Sequence, residues 1–134
     1  MSMQIVFPGG TRVDAHYKGF VISTDQAAGD GGTSAAPSPF DLFLSSLGTC
    51  AGYFVLVFCQ RRSLPTEGLS LALDAVRDAE GHRIARVEIV VSLPEGFPAE
   101  YVAACVRAAE QCAVKGYLDA KLPIEITAKR GERG

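Results

Sequence analysis

The sequence predicts a single α+β domain, residues 1–134, in which antiparallel sheets surround one central helix. Three observations favour this fold class. The length of 134 residues is that of one domain. Segments with the two-residue alternation of strands are grouped early and late in the chain rather than alternating strictly with helices. Between these groups, a run without charge extends from Leu42 to Gln60, which is typical of a helix buried on all sides.

The composition argues against several classes of function. Hydrophobic residues make up 48% and charged residues 21% of the chain, which is ordinary for a globular protein and too apolar for a disordered one. With a net charge of -2 and no Trp, we expect no binding to nucleic acid or to a membrane surface. The first residues lack the basic segment and apolar run of a secretory signal, so we expect a cytoplasmic protein.

The first third is predicted to form a β-meander. Met3–Phe7 is a short apolar run that ends at Pro8. Thr11–Tyr17 alternates apolar and polar residues, and Phe20–Thr24 suits a return strand. The next segment, Asp25–Pro39, is a long loop rich in Gly, Ala, Ser and Pro; it is either functional or a passive connection.

The uncharged run is predicted to be a core helix. Its length also fits a transmembrane span, but polar residues dilute it and the rest of the chain is typical of a soluble protein, so we reject that alternative. Ser38 and Pro39 suit the helix start, and Leu64-Pro65 marks its latest end. Because 134 residues can hardly cover such a helix, we expect a homodimer.

The second half is predicted to form a hairpin, a helical region and a last strand. Leu69–Arg77 and Ile84–Leu93 alternate like paired strands. Helical spacing from Tyr101 continues to about Asp119, with an interruption near Cys112 as one possibility. Ile124–Ala128 is predicted as the last strand.

The four cysteines match neither a secreted disulfide scaffold nor a zinc motif, and we expect neither metal nor cofactor. On ideal helices, Cys50 and Cys59 point to opposite faces, while Cys105 and Cys112 lie about 10.5 Å apart along the axis. Any disulfide within the chain must therefore connect the two helical regions. Packing as a small buried hydrophobic side chain is enough to explain Cys59 and Cys105, but it explains Cys50 and Cys112 less well.

The segment Ser38–Ala51, SPFDLFLSSLGTCA, resembles the signature S-P-x-[ED]-L-x-L-x-[SA]-L-x-x-C of the OsmC/Ohr family. Cys112 resembles the second cysteine of that family, and the resemblance covers nearly the whole chain. It implies an OsmC-like α+β fold in an intertwined homodimer. It also implies a thiol peroxidase without metal or haem, which reduces organic hydroperoxides through Cys50 and Cys112 and is regenerated by a dithiol, either a lipoyl protein or a small thiol.

The resemblance also implies roles for other residues. A peroxidatic thiol needs a cation to favour its thiolate, and in the family this is an Arg held by an acid. Arg12 is the only Arg before Cys50, and the alternative for it is an ordinary surface Arg. Asp41 is the matching acid, and the alternative for it is a first-turn residue that interacts with the helix dipole. The predicted substrate pocket consists of Phe40, Phe43, Leu47 and Phe54, with residues 25–39 gating or walling it.

The sequence departs from the Ohr branch at two positions. Phe40 stands where that branch has its acid, and Ala113 stands where it has Pro. Two alternatives therefore stay open beside the peroxidase. One is a member of the same fold that binds a small apolar or thiol-containing ligand or handles sulfur by another route. The other is a structural dimer whose four thiols are inert.

Overall fold

The computed structural model describes residues 2–131 and has the expected α+β class. Its elements follow the predicted order up to the last strand. They are β1 (Gln4–Gly9), β2 (Arg12–Tyr17), β3 (Phe20–Thr24), α1 (Pro39–Arg61), β4 (Ser70–Arg77), β5 (Ile84–Ser92), α2 (Val102–Ala109) and α3 (Ala113–Asp119). Single turns of 3-10 helix occur at Ala28–Asp30 and Ala99–Tyr101.

Strands β1, β2 and β3 form an antiparallel meander with β2 in the centre. Ala15 is paired with Ile5 on one side and with Ile22 on the other. Every residue of β1 is exposed, and Phe7 and Phe20 are 78% and 70% exposed. The meander therefore presents large apolar side chains to solvent when the chain is alone. Such exposure is typical of a surface that contacts another protein.

The loop after β3 is organised around the carboxylate of Asp25, which is only 1% exposed. This carboxylate accepts hydrogen bonds from the hydroxyls of Thr11 (2.6 Å) and Thr33 (2.9 Å). It also accepts from the backbone N–H groups of Gln26, Thr33 and Ala35. These donors, the Thr11 hydroxyl foremost, hold the pKa of Asp25 well below its usual range. The long loop of residues 25–39 is thus ordered and is not a loose connection.

Helix α1 begins with a capping box. The Ser38 hydroxyl accepts from the Asp41 N–H (3.1 Å), and the Asp41 carboxylate accepts from the Ser38 N–H (3.0 Å). By length and composition alone, α1 could span a membrane. It packs against β4, α2 and α3 and buries one side, so the burial on all sides predicted from the sequence is not found in the single chain. The buried side chains are Leu47, Ala51, Val55, Phe58 and Cys59.

The hairpin of β4 and β5 covers a second side of α1. Its register pairs Leu71 with Val91 and Leu73 with Ile89. Leu71 and Leu73 lie under the glycines of α1: a Cβ on Gly48 would be 3.5 Å from Leu73 Cδ1, and one on Gly52 would be 3.9 Å from Leu71 Cδ1. The core lies where α1, α2 and the hairpin meet, and its most buried members are Val55, Phe58, Cys59 and Cys105.

The prediction of a last strand at Ile124–Ala128 is wrong for the single chain, because the structure shows no strand there. Ile124 and Ile126 are 80% and 90% exposed. A strand requires a neighbour for its backbone N–H and C=O groups, and no strand of the described chain pairs with this segment. The two-residue alternation indicates a strand-forming segment but does not identify its partner.

Candidate active site

Cys50 lies on α1 beside the first turn of α3 and is partly exposed. Burial raises the pKa of this thiol. Hydrogen bonds to its sulfur lower the pKa and outweigh burial. The donors are the backbone N–H of Val114, the thiol of Cys112 and the backbone N–H of Ala113. The pKa of Cys50 is therefore below the ordinary value for a thiol, so more of it is thiolate at neutral pH.

Cys112 is the partner thiol and has the opposite electrostatic character. It is 4% exposed, and burial raises the pKa of its thiol above the ordinary value. Its sulfur accepts a hydrogen bond from the Lys115 N–H (3.5 Å) and lies 3.9 Å from the Leu47 carbonyl oxygen. The two thiols in contact are thus a partly exposed nucleophile and a buried, protonated neighbour.

A break in the second helical region brings these thiols together. Helix α2 ends at Ala109, and Cys112 is the N-cap of α3 with φ -50° and ψ 119°. This extended residue redirects the chain, so that the first N–H groups of α3 point toward α1. The interruption near Cys112, one of the two predicted possibilities, is therefore what builds the site.

A cavity of about 470 Å³ lies between α1, β5, α2 and α3, with Cys112 in its wall. Phe43 and Leu47, both predicted for the pocket, line it from α1. Cys50 is on the flank of the same helix and does not line it. Three of the other lining residues are charged, namely Glu110, Lys115 and Asp119. The rest are apolar: Ala51, Val87, Ile89, Val91, Leu93, Val102, Cys105, Val106, Ala109 and Leu118.

The structure places the other predicted pocket residues elsewhere. Phe40 stacks on Phe43 with ring centroids 5.4 Å apart and lines a neighbouring pocket. Phe54 packs edge-on against Tyr53 at 5.3 Å, beyond the stretch of α1 that walls the cavity. None of residues 25–39 lines the cavity, because the loop folds on Asp25 instead.

Arg12 and Asp41 do not meet in the described chain, and neither contacts Cys50. Arg12 lies on β2, where its Nη2 is 3.8 Å from Oδ2 of Asp14. Arg12 Nε and Asp14 Oδ1 are buried without a hydrogen-bond partner. Asp41 is engaged in the capping box of α1. The activating role of these two residues stays a prediction.

Sequence reasoning missed Asp14 as the acid that accompanies Arg12. The signal was available: residues two apart on a strand share a face, and Arg12 and Asp14 are spaced in this way. It also missed the polar rim of the cavity, where Lys115 Nζ and Asp119 Oδ2 are 2.8 Å apart. These two lie one helical turn apart, which is the spacing of a favourable pair.

Cys59 and Cys105 form a second contact between α1 and α2. Both are 0% exposed, and their thiols are within hydrogen-bonding reach of each other. Burial raises the pKa of both thiols. This keeps them protonated and unreactive, as expected for packing residues. Within residues 2–131, no cluster of three or more His, Cys, Asp or Glu side chains could hold a metal ion.

Comparison with known proteins agrees with this architecture. A solved structure from Psychrobacter arcticus, described as an osmotic stress induced and detoxification response protein, has a TM-score of 0.73 and 20% identity, covering 87% of this chain and 86% of that one. A Legionella pneumophila structure has a TM-score of 0.55 and 17% identity, covering 88% and 89%. It is described as organic hydroperoxide resistance protein OsmC, a predicted redox protein and regulator of sulfide bond formation.

At these identities the two structures establish the fold alone. No curated protein sequence matches the chain. The family assignment comes from a family model described as OsmC-like protein, which matches residues 29–127. This match includes the segment from Ser38 to Ala51 and both thiols of the candidate site. The chain therefore belongs to the OsmC family.

Proposed function

We propose that this OsmC-family protein is a thiol-dependent peroxidase that reduces organic hydroperoxides through Cys50 and Cys112. One observation carries the proposal: two thiols in contact have pKa values shifted in opposite directions. Such a pair supplies both groups that a two-cysteine peroxidase needs, a nucleophilic thiolate and a nearby thiol for disulfide formation. The description of the Legionella structure as an organic hydroperoxide resistance protein is consistent with this activity.

The first chemical step oxidises Cys50. Its thiolate attacks the terminal oxygen of the hydroperoxide and the O–O bond breaks. The sulfur is left as a sulfenic acid, and the alkoxide takes a proton from water and leaves as the alcohol. The apolar cavity beside Cys112 provides space for the alkyl group.

The second step joins the two cysteines. The Cys112 sulfur attacks the sulfenic sulfur of Cys50, an S–S bond forms, and water leaves. Little motion is required, because the two side chains are already in contact. An external dithiol then reduces the disulfide by two exchange steps. We expect that dithiol to be a lipoyl protein or a small thiol, in the cytoplasm.

The active form proposed is a homodimer. The exposed apolar side chains of the meander and of residues 124–128 are the surfaces that a second copy would cover. Arg12 does not approach Cys50 of its own chain. Activation by Arg12 would therefore have to occur across the dimer, with the Arg of one protomer facing the thiol of its partner.

Mass analysis after a single oxidation tests the proposal. The fully reduced protein is treated with one equivalent of cumene hydroperoxide and digested after the remaining thiols are blocked. We expect a loss of two hydrogens that maps to a Cys50–Cys112 disulfide. Cys50→Ser should abolish it. Cys59→Ser is the matched control on the same helix and should leave it intact, since Cys59 contacts Cys105 instead.

A second candidate is a non-peroxidase OsmC-like protein that binds a small ligand or handles sulfur by another route. The observation that favours it is the position of Arg12, which lies on β2 beside Asp14 and does not approach Cys50 of the same chain. Under this alternative, the hydroperoxide leaves the mass of the protein unchanged and Cys50 remains free. That outcome would refute the peroxidase.

A further inference from the structure

The cavity of about 470 Å³ approaches the thiol pair on the side of Cys112. Cys112 lines the cavity and also contacts the sulfur of Cys50, whereas Cys50 does not line it. A small molecule in the cavity therefore reaches the sulfur of Cys112 first. A thiolate attacks a disulfide along the axis of the S–S bond, from the end away from the sulfur that leaves. In a Cys50–Cys112 disulfide, Cys112 is thus the sulfur that the cavity opens to attack.

The surroundings of the two sulfurs also differ in how well they stabilise a departing thiolate. Although burial raises the pKa of Cys50, the N–H donors of Val114 and Ala113 and the Cys112 thiol hold it below the ordinary value. Burial foremost raises the pKa of Cys112. In thiol–disulfide exchange, the sulfur with the lower thiol pKa leaves faster. Access and leaving ability therefore select the same direction, with attack on Cys112 and departure of Cys50.

The walls of the cavity suit an apolar molecule. Apart from its rim, the cavity is lined by aliphatic and aromatic side chains. At the rim, Lys115 Nζ and Asp119 Oδ2 neutralise each other at 2.8 Å, and Glu110 is exposed to solvent. The volume lies within the range of pockets that bind small molecules. A dithiol with an unsubstituted carbon chain can therefore be held against the sulfur of Cys112.

We propose that an apolar dithiol reductant enters this cavity and attacks Cys112 of the disulfide, so that Cys50 is expelled as the thiolate. The inference rests on the proposed function and assigns the route and the direction of its reducing half. In the first exchange, a thiolate of the dithiol forms a bond with the Cys112 sulfur. The Cys50–Cys112 bond breaks, and its electron pair stays on Cys50, where the backbone donors of α3 receive it.

The second exchange releases the dithiol as a cyclic disulfide. Its remaining thiol loses a proton and attacks its own sulfur in the mixed disulfide with Cys112. The electron pair of the broken bond stays on Cys112, which takes up the proton. The Lys115 N–H, 3.5 Å from this sulfur, is the hydrogen-bond donor during its departure. The dithiol is oxidised, and the protein returns to the Cys50 thiolate and the protonated Cys112.

The site of attack is tested on a disulfide that is formed with diamide, so that no peroxide turnover is needed. The monothiol 2-mercaptoethanol is added, and the exchange is stopped with acid at a series of short times. Peptide mass then locates the mixed disulfide. We expect the earliest adduct on Cys112, with Cys50 free. An earliest adduct on Cys50 overturns the inference.

The route through the cavity is tested by the rate at which dithiols reduce the same disulfide. Val106→Trp places a large side chain at a partly exposed position of the cavity wall. It should slow reduction by butane-1,4-dithiol by about tenfold or more, because the thiolate no longer reaches its attacking position. Val90→Trp is the matched control at an exposed valine outside the cavity and should reduce at the rate of the wild type. Equal rates in the two variants overturn the route.

A comparison of two dithiols on the wild-type protein tests the same route without any substitution. Dithiothreitol is butane-1,4-dithiol with two hydroxyl groups added. Each rate is divided by the rate of the same dithiol with a small soluble disulfide, which removes the difference in intrinsic reactivity. Butane-1,4-dithiol should be preferred by about tenfold, since an apolar wall leaves the hydroxyls without hydrogen bonds. Equal normalised rates overturn the route.

The choice of oxidant separates this inference from the proposed function. A disulfide that forms with cumene hydroperoxide but gives its earliest adduct on Cys50 overturns the inference and leaves the peroxidase standing. A disulfide that forms only with diamide refutes the peroxidase, and an earliest adduct on Cys112 still supports the direction of reduction. Failure of both oxidants to form the Cys50–Cys112 disulfide overturns both proposals.

Discussion

Replacing Ala113 by proline should raise the pKa of Cys50 while leaving the fold intact. Ala113 is the first residue of α3, and its backbone N–H donates to the Cys50 sulfur. Proline has no N–H, so this donor is removed. Proline is well tolerated at the first position of a helix, because the N–H there has no partner within the helix.

The geometry of the preceding residue also permits the substitution. A residue before proline must be extended, and Cys112 already has φ -50° and ψ 119°. A hydrogen bond to a charged group contributes about 1.5–3 kcal/mol. One pKa unit corresponds to about 1.4 kcal/mol, so the loss of this bond should raise the pKa by about one to two units. The Val114 and Cys112 donors remain and keep the shift from being larger.

The assay is the pH dependence of alkylation at Cys50. The rate of reaction with iodoacetamide is followed by peptide mass, and the midpoint of the profile gives the pKa. The midpoint should move upward in Ala113→Pro. Ala113→Gly is the matched control: it changes the same side chain but keeps the N–H, so its midpoint should match that of the wild type.

If the midpoints of the proline and glycine variants both equal that of the wild type, the role of the Ala113 N–H is refuted. Circular dichroism shows whether both variants retain the helical content of the wild type. An equal upward shift in both would instead indicate that the first turn of α3 has loosened, which contradicts the assignment of the effect to one donor.

Three further predictions concern stability and assembly. Because the native pKa of Asp25 lies below its unfolded value of 3.8, its carboxylate stabilises the fold fully above that pH and loses this effect as the pH falls further. Asp25→Asn should therefore lower Tm at neutral pH and flatten the decline of Tm in acid; an unchanged acid limb in thermal melts would contradict this. Gly52→Ala should stabilise the protein by about 0.5–1 kcal/mol in urea unfolding, since the added Cβ meets Leu71 at an ordinary distance and Gly is unfavourable within helices; a destabilised variant would show that the contact is tighter. Ile126→Lys should shift the sedimentation coefficient from that of the proposed dimer to that of a monomer, because it places a charge in the exposed apolar segment; an unchanged dimer would exclude this segment from the interface.

The elements that depend on local pattern were predictable. The capping box of Ser38 and Asp41 and the proline between them define where α1 begins. The alternation of β4 and β5 predicts their pairing, because residues two apart share one face of a strand. Helix rotation likewise separates Cys50 from Cys59 and restricts any internal disulfide to one between helical regions. Both observed thiol contacts obey that restriction.

Other features depend on neighbours that sequence patterns do not specify. The alternation of Ile124 and Ile126 is that of a strand, but no strand of the described chain pairs with this segment. The sequence analysis chose the pocket residues because they are apolar and near Cys50 in sequence. Apolar residues also lie on the surface next to the cavity, so this criterion does not identify the cavity wall. Phe54 belongs to that surface.

The sequence by itself determined the fold class, the order of elements up to the last helix and the resemblance to the OsmC family, because these follow from periodicity, helix capping and a local motif. It also pointed to Cys50 and Cys112. Only the tertiary structure decided how they differ: Cys50 receives backbone N–H donors from α3, whereas Cys112 is enclosed. The physical reason is that a thiol pKa depends on burial and on donors that other segments bring to the sulfur, which the residues adjacent in sequence do not fix.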